Sequence, residues 1–142
     1  MRALADAPSA FGATLAEWTG EGDTEQRWRQ RLYDVPINLV AVDAGVPVGM
    51  LSVTAAVGGD HAEVISVWAA PEARGRGVGD ALLRAAIASA RARGDSRLTL
   101  KVRTANEDAV RLYRRAGFLD LGWATAPDAP HPERRMELDL RD

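Results

Sequence analysis

The chain has 142 residues, 46% of them hydrophobic and 27% charged, a balance that suits one globular domain with one core and excludes a disordered or fibrous polypeptide. With no cysteine, disulfides and thiolate chemistry are excluded as well. The net charge of −2 is uneven: residues 71–115 hold eleven Lys/Arg against five Asp/Glu, or +6, which leaves −8 on the remainder. A polyanionic ligand is favoured at the basic segment and a cationic partner elsewhere, while nucleic acid is disfavoured.

Met1 to Ala7 has helical character that Pro8 and Gly12 interrupt before Ala13 to Trp18 resumes it, so a broken helical region is predicted. This start is too polar for a signal peptide, and no apolar run nears the roughly 18 residues of a membrane helix. With the missing cysteines, that predicts a cytoplasmic chain. Asp23, with Gln26 three residues on, has capping-box spacing for a helix that carries Trp28, Leu32 and Tyr33 inward and ends before Pro36.

Ile37 to Val42 and Val46 to Val57 are apolar and rich in β-branched residues, and Asp43-Ala44-Gly45 between them signals an antiparallel hairpin. Gly58-Gly59-Asp60 turns into a third strand, Glu63 to Ala70, which Pro71 ends. Leu82, Leu83, Ala86, Ile87 and Ala90 then form one stripe at helical spacing, with Arg84, Arg91 and Arg93 around the other side and Gly94 as a C-terminal cap. Arg97 to Arg103 alternates as a half-buried strand, so strand, helix and strand make a right-handed parallel crossover. A helix capped by Asn106 and ended by Gly117 follows, with Glu107 and Asp108 where the helix dipole favours acids. Phe118 to Thr125 and Arg135 to Leu140 are the last strands, joined by a loop bearing Pro127, Pro130 and Pro132. No repeat or linker interrupts the pattern, which predicts a single α/β domain over residues 1–142.

The turn between the third strand and the long helix is Arg74-Gly75-Arg76-Gly77-Val78-Gly79. Strand, glycine-rich turn and helix in this order aim backbone N–H groups and the positive helix end at one place, with two arginines beside them, and a phosphate fits there. A dinucleotide fold would need a third glycine three residues after the second, and a nucleoside-triphosphate loop would need Gly-Lys-Ser/Thr; neither is present. A glycine-rich turn before a helix is also common punctuation.

Arg74, Gly77 and Gly79 resemble the Arg/Gln-x-x-Gly-x-Gly/Ala signature of the GCN5-related N-acetyltransferases, whose loop wraps the pyrophosphate of acetyl-coenzyme A. Asn106, Ala109, Leu112, Tyr113, Gly117 and Phe118 resemble the same family's Asn-x-x-Ala-x-x-Leu-Tyr-x-x-x-Gly-Phe segment at every named position. The resemblance implies a central twisted, mostly antiparallel sheet with one splayed parallel pair, flanked by helices. It also implies acetyl transfer to a primary amine by direct attack in a ternary complex, without a metal. A non-catalytic acyl-coenzyme A binding module is the alternative class.

Carried over by position, the resemblance places the cofactor along Val67, Trp68 and Ala69, with the Val67 amide at the thioester carbonyl, and along Arg74, Gly75, Arg76, Gly77, Val78, Gly79 and Asp80. Asn106 is implied as a cofactor contact, its cap being the structural alternative. Tyr113 takes the general-acid position, the alternative being a core aromatic. Glu63 stands 11 residues before Arg74, where one branch of the family keeps a general-base glutamate; a solvent-facing edge residue is the other reading. His131, in the last loop, is the rival base, and Phe11, between the first helices, is a candidate acceptor contact. Family members begin with a strand, whereas this chain begins inside the following helix. That strand is either absent or outside this sequence; its absence would expose a sheet edge that has to be covered or paired, and pairing with a second copy makes a homodimer an expectation.

Overall fold

The polarity of the hairpin 37–53 sets one edge of the sheet. In the computed structural model, which describes residues 25–55 and 61–141, β1 (Ile37–Asp43) and β2 (Val46–Val53) pair antiparallel around Ala44 and Gly45, both at positive φ. A helix, α1 (Glu25–Asp34), precedes them and ends before Pro36 as its sequence requires. Tyr33 corrects the expectation of an inward aromatic: it is 85% exposed, because at i+3/i+4 spacing it continues the exposed helical stripe of Gln26, Arg29 and Gln30. The side chains of Trp28 and Leu32, the capping residue Asp23, the helical region 1–18 with Phe11, and the turn 58–60 lie outside the described residues.

Strand β2 stops at Val53, four residues short of the predicted end, since the Thr54 amide donates to the Glu63 carbonyl and the Thr54 hydroxyl accepts from the Glu63 amide. β3 (His61–Ala69) runs antiparallel to β2, and the Ala70 amide closes on the Val48 carbonyl before a single 3-10 turn, Pro71–Ala73, that the sequence reading did not contain. Then come α2 (Val78–Arg93), β4 (Arg97–Arg103), α3 (Glu107–Arg115), β5 (Leu119–Trp123) and β6 (Glu133–Asp139). The six-stranded sheet has the order β1-β2-β3-β4-β6-β5, and β3 with β4 is its parallel pair. This is the expected mixed α/β architecture.

One face of the sheet holds the main core. Leu82, Leu83, Ala86 and Ala90 of α2 are buried as their spacing predicts, and they meet Leu51, Val53, Leu98 and Leu100 in one cluster that also takes in Tyr113 and Phe118. Truncating any of these leucines would cost about 2–5 kcal/mol. Gly94 ends α2 in the left-handed conformation, with the Gly94 and Asp95 amides returning to the last turn of the helix. Among the described residues no helix is long and apolar enough to cross a membrane.

Candidate active site

The site begins as a failure of strand pairing. β3 and β4 stay in register only where His61–Glu63 face Arg97–Thr99, and past that point they diverge. On its other side β3 carries one residue too many. Met50 faces Trp68 and Ser52 faces Ile65, so two residues, Ser66 and Val67, oppose Leu51 alone, and Ser66 takes a φ of 55° to fit. A non-glycine residue in that region marks local strain held in place by its surroundings. The bulge bends β3 away from β4 and opens a cleft of about 840 Å³ between them.

The cleft is walled by Glu63, Ser66 and Val67 of β3 on one side and by Lys101 and Arg103 of β4 on the other. Asn106 and the buried Tyr113 of α3 also line it, as do His131 and Glu133. Asn106 caps α3, its Oδ1 accepting from the Ala109 amide at 3.2 Å, with Glu107 and Asp108 in the first turn and Arg114 and Arg115 in the last. The cap and Gly117, left-handed at φ 103°, fix both ends of the nine-residue helix. Tyr113 is thereby set against Phe118, ring centroids 6.0 Å apart, at the floor of the opening. Burial pushes the Tyr113 phenol up from 10 to about 12, so it keeps its proton throughout the neutral range.

The glycine loop lies at the head of α2. Gly77, at φ 81°, is the N-cap, and the first helical bond runs from the Ala81 amide to its carbonyl. The amides of Gly75, Arg76 and Gly77 find no acceptor among the described residues, and those of Val78, Gly79 and Asp80 are the free donors of a first turn. The loop is fastened at two points: Arg74 Nε donates to the Ala69 carbonyl at 3.0 Å, and Arg76 pairs with Asp43 of β1 at 3.4 Å. Asp80 pairs with Arg115 at 3.3 Å, which ties the head of α2 to the end of α3. Gly79 meets Leu112 on the same seam, where an added Cβ would stand 3.1 Å from Leu112 Cδ2.

Glu63, Val67, Asn106, Tyr113 and His131, singled out in the sequence, therefore share one cleft. Trp68 does not line it; its side chain is buried with Val48, Ala70 and Ala73 in a second, smaller cluster. Ala69 contributes the carbonyl that Arg74 holds. Trp123 is also outside the cleft, beneath the Arg134 guanidinium at 4.5 Å. Sequence reasoning missed Ser66, Lys101, Arg103 and Glu133. The alternation of 97–103 carried the signal for Lys101 and Arg103, which fall on its polar face, whereas nothing local announces the bulge at Ser66.

Both the sequence and the fold match known proteins. Residues 6–118 match the model of the acetyltransferase (GNAT) family. The chain belongs to the GNAT family. Among its relatives is a mycothiol acetyltransferase of Propionibacterium freudenreichii subsp. shermanii, 38% identical over 129 residues, 86% of this chain and 40% of that protein. A second, from Thermobispora bispora, is 36% identical over 82% of this chain and 39% of its own length. The chain thus spans about two fifths of the length of these curated relatives. Among solved structures, the ribosomal-protein-alanine N-acetyltransferase of Brucella melitensis superposes with a TM-score of 0.73 at 26% identity, over 96% of this GNAT chain and 91% of that one. A nourseothricin acetyltransferase gives 0.64 at 32% identity, over 73% and 65%.

Proposed function

We propose that this GNAT domain moves an acetyl group from acetyl-coenzyme A to a primary amine by direct attack, with both substrates in the cleft between β3 and β4. The observation that carries the reading is the joint placement of Tyr113 and Val67 on one opening. The loop supporting it is headed by donors without acceptors among the described residues. Names of the relatives, acetyltransferases in each case, agree with it.

In this reading the amides of residues 75–80 and the α2 dipole hold the pyrophosphate. The Val67 amide donates to the thioester carbonyl oxygen as it gains charge, a kind of contact whose loss costs on the order of 3 kcal/mol. An alkylamine of pKa near 10.4 is protonated at pH 7, a handicap of roughly 4–5 kcal/mol, and Glu63 takes that proton directly or through one water, with His131 as the alternative acceptor. Tyr113 serves the departing sulfur. Handing a proton from a phenol of about 12 to a thiolate whose acid lies near 8.5 is uphill by about 5 kcal/mol, so Tyr113 acts first as a hydrogen-bond donor that steadies the thiolate. Without cysteine, a cysteinyl acyl-enzyme is excluded.

The reading is tested by following coenzyme A thiol release over a panel of amines, with calorimetry of coenzyme A binding alongside. Acetyl transfer that falls more than tenfold in Tyr113→Phe at unchanged coenzyme A affinity supports it. Tight coenzyme A binding without transfer to any amine would replace it with an acyl-coenzyme A binding module.

A further inference from the structure

Two cations in the cleft have no structural employment. Lys101 and Arg103 line it from β4, and among the described residues neither makes an ion pair. The same strand shows what a structural cation does: Arg97, at its closed end, reaches Glu137 of β6 at 3.8 Å. Lys101 instead stands opposite Arg135 in the β4–β6 register, a like-charge pair that works against the sheet. Arg103 is opposite Glu133, yet the two side chains do not close on each other. Glu63 and Glu133 likewise make no ion pair among the described residues, so the cleft presents both signs of charge uncompensated.

The spacing separates the signs. Glu63 is level with Thr99 in the parallel register, and Lys101 lies on the same face of β4, two residues or about 7 Å beyond Thr99. Resting on the acetyl-transfer reading of this cleft, we propose that its acceptor is a small amine that also carries an anionic group, a carboxylate or a phosphate, a few bonds from the nitrogen. Glu63 holds the ammonium end and Lys101 with Arg103 holds the anion. A ligand of that shape neutralises both sets of charges at once, and it relieves the repulsion between Lys101 and Arg135 that the free chain retains. The acidic charge outside residues 71–115 points only to a cation; the cleft narrows this to a zwitterion.

The test compares matched acceptors in the thiol-release assay: the common L-amino acids against their amides, and 2-aminoethyl phosphate against ethanolamine. The anionic member of one pair is expected to have kcat/KM at least tenfold higher, and the preferred pair tells carboxylate from phosphate. In Lys101→Gln/Arg103→Gln the preference should disappear through KM for the anionic member alone, with the melting temperature unchanged or higher. Equal use of anionic and neutral members by the parent chain overturns the proposal, as does a preference that survives in the double variant. A second readout needs no turnover: calorimetry of N-acetyl amino acids against N-acetyl amino amides on the coenzyme A-loaded chain. Selective binding of the acids without transfer to any amine keeps the anion site and removes the transfer reading; equal binding of acids and amides removes the anion site.

Discussion

Gly49 of β2 and Val78 at the head of α2 touch so closely that no side chain fits between them. A Cβ on Gly49 would stand 2.7 Å from Val78 Cγ1 and 3.0 Å from the Trp68 carbonyl oxygen. The valine can shift, but the carbonyl belongs to β3 and cannot move without disturbing the bulge. Gly49→Ala should therefore lower stability by about 1–3 kcal/mol and weaken coenzyme A binding several-fold, because the loop rides on α2. Gly45→Ala is the control: it meets nothing within 4 Å, and its φ of 80° costs stability in the hairpin alone. Chemical denaturation and calorimetry on both variants separate the two effects, and equal losses of coenzyme A affinity would sink the coupling.

Gly77 poses the opposite case. A Cβ there meets no atom within 4 Å, yet the φ of 81° is costly for any L side chain. Gly77→Ala should cost about 1–2 kcal/mol through backbone strain, and a chain that relieves the strain re-aims the neighbouring amides. Coenzyme A affinity is expected to fall at least tenfold, whereas affinity for dephosphorylated pantetheine, which lacks the pyrophosphate, should stay within twofold of the parent. Equal losses for the two ligands would contradict a phosphate role for the loop.

Most of this architecture was legible because its signals are local. The stripe Leu82, Leu83, Ala86, Ala90, the Asn106 cap and the alternation of 97–103 each appear where their chemistry put them. What stayed hidden is set by tertiary pairing. Ser66 is an ordinary residue for a strand, and its positive φ exists only because β2 is one residue shorter across the bulge. The early end of β2 at Val53 is likewise decided by Thr54 bonding back to Glu63. The candidate residues Tyr113 and Asn106 were visible through a motif, and Lys101 and Arg103 through the polar face of 97–103; that these cations and Glu133 wall one gap follows only from β4 and β6 bordering it.

Asn106 carries a cap that can be separated from ligand binding. Asn106→Ala removes the acceptor for the Ala109 amide and should cost about 1 kcal/mol. Asn106→Asp keeps that acceptor and should retain the parent stability. If the side-chain amide also donates to the cofactor, Asn106→Asp will bind coenzyme A at least fivefold more weakly at an unchanged melting temperature. A dissociation constant equal to the parent's would confine Asn106 to capping.

Tyr113 makes a prediction in the alkaline range. Its phenol rises from 10 to about 12 on folding because burial disfavours the phenolate, so above pH 10 the unfolded chain gives up this proton more readily than the folded one. The contribution is complete below pH 10 and is lost as pH climbs toward 12, by about 2–3 kcal/mol across that window. Tyr113→Phe has no such proton to lose. Denaturation at pH 8 and at steps up to 11.5 should show the parent losing stability faster than the variant once pH passes 10, with the gap widening toward the upper limit. Parallel curves for the two proteins would mean that the phenol is open to water, and the donor role at the sulfur would lose its physical basis.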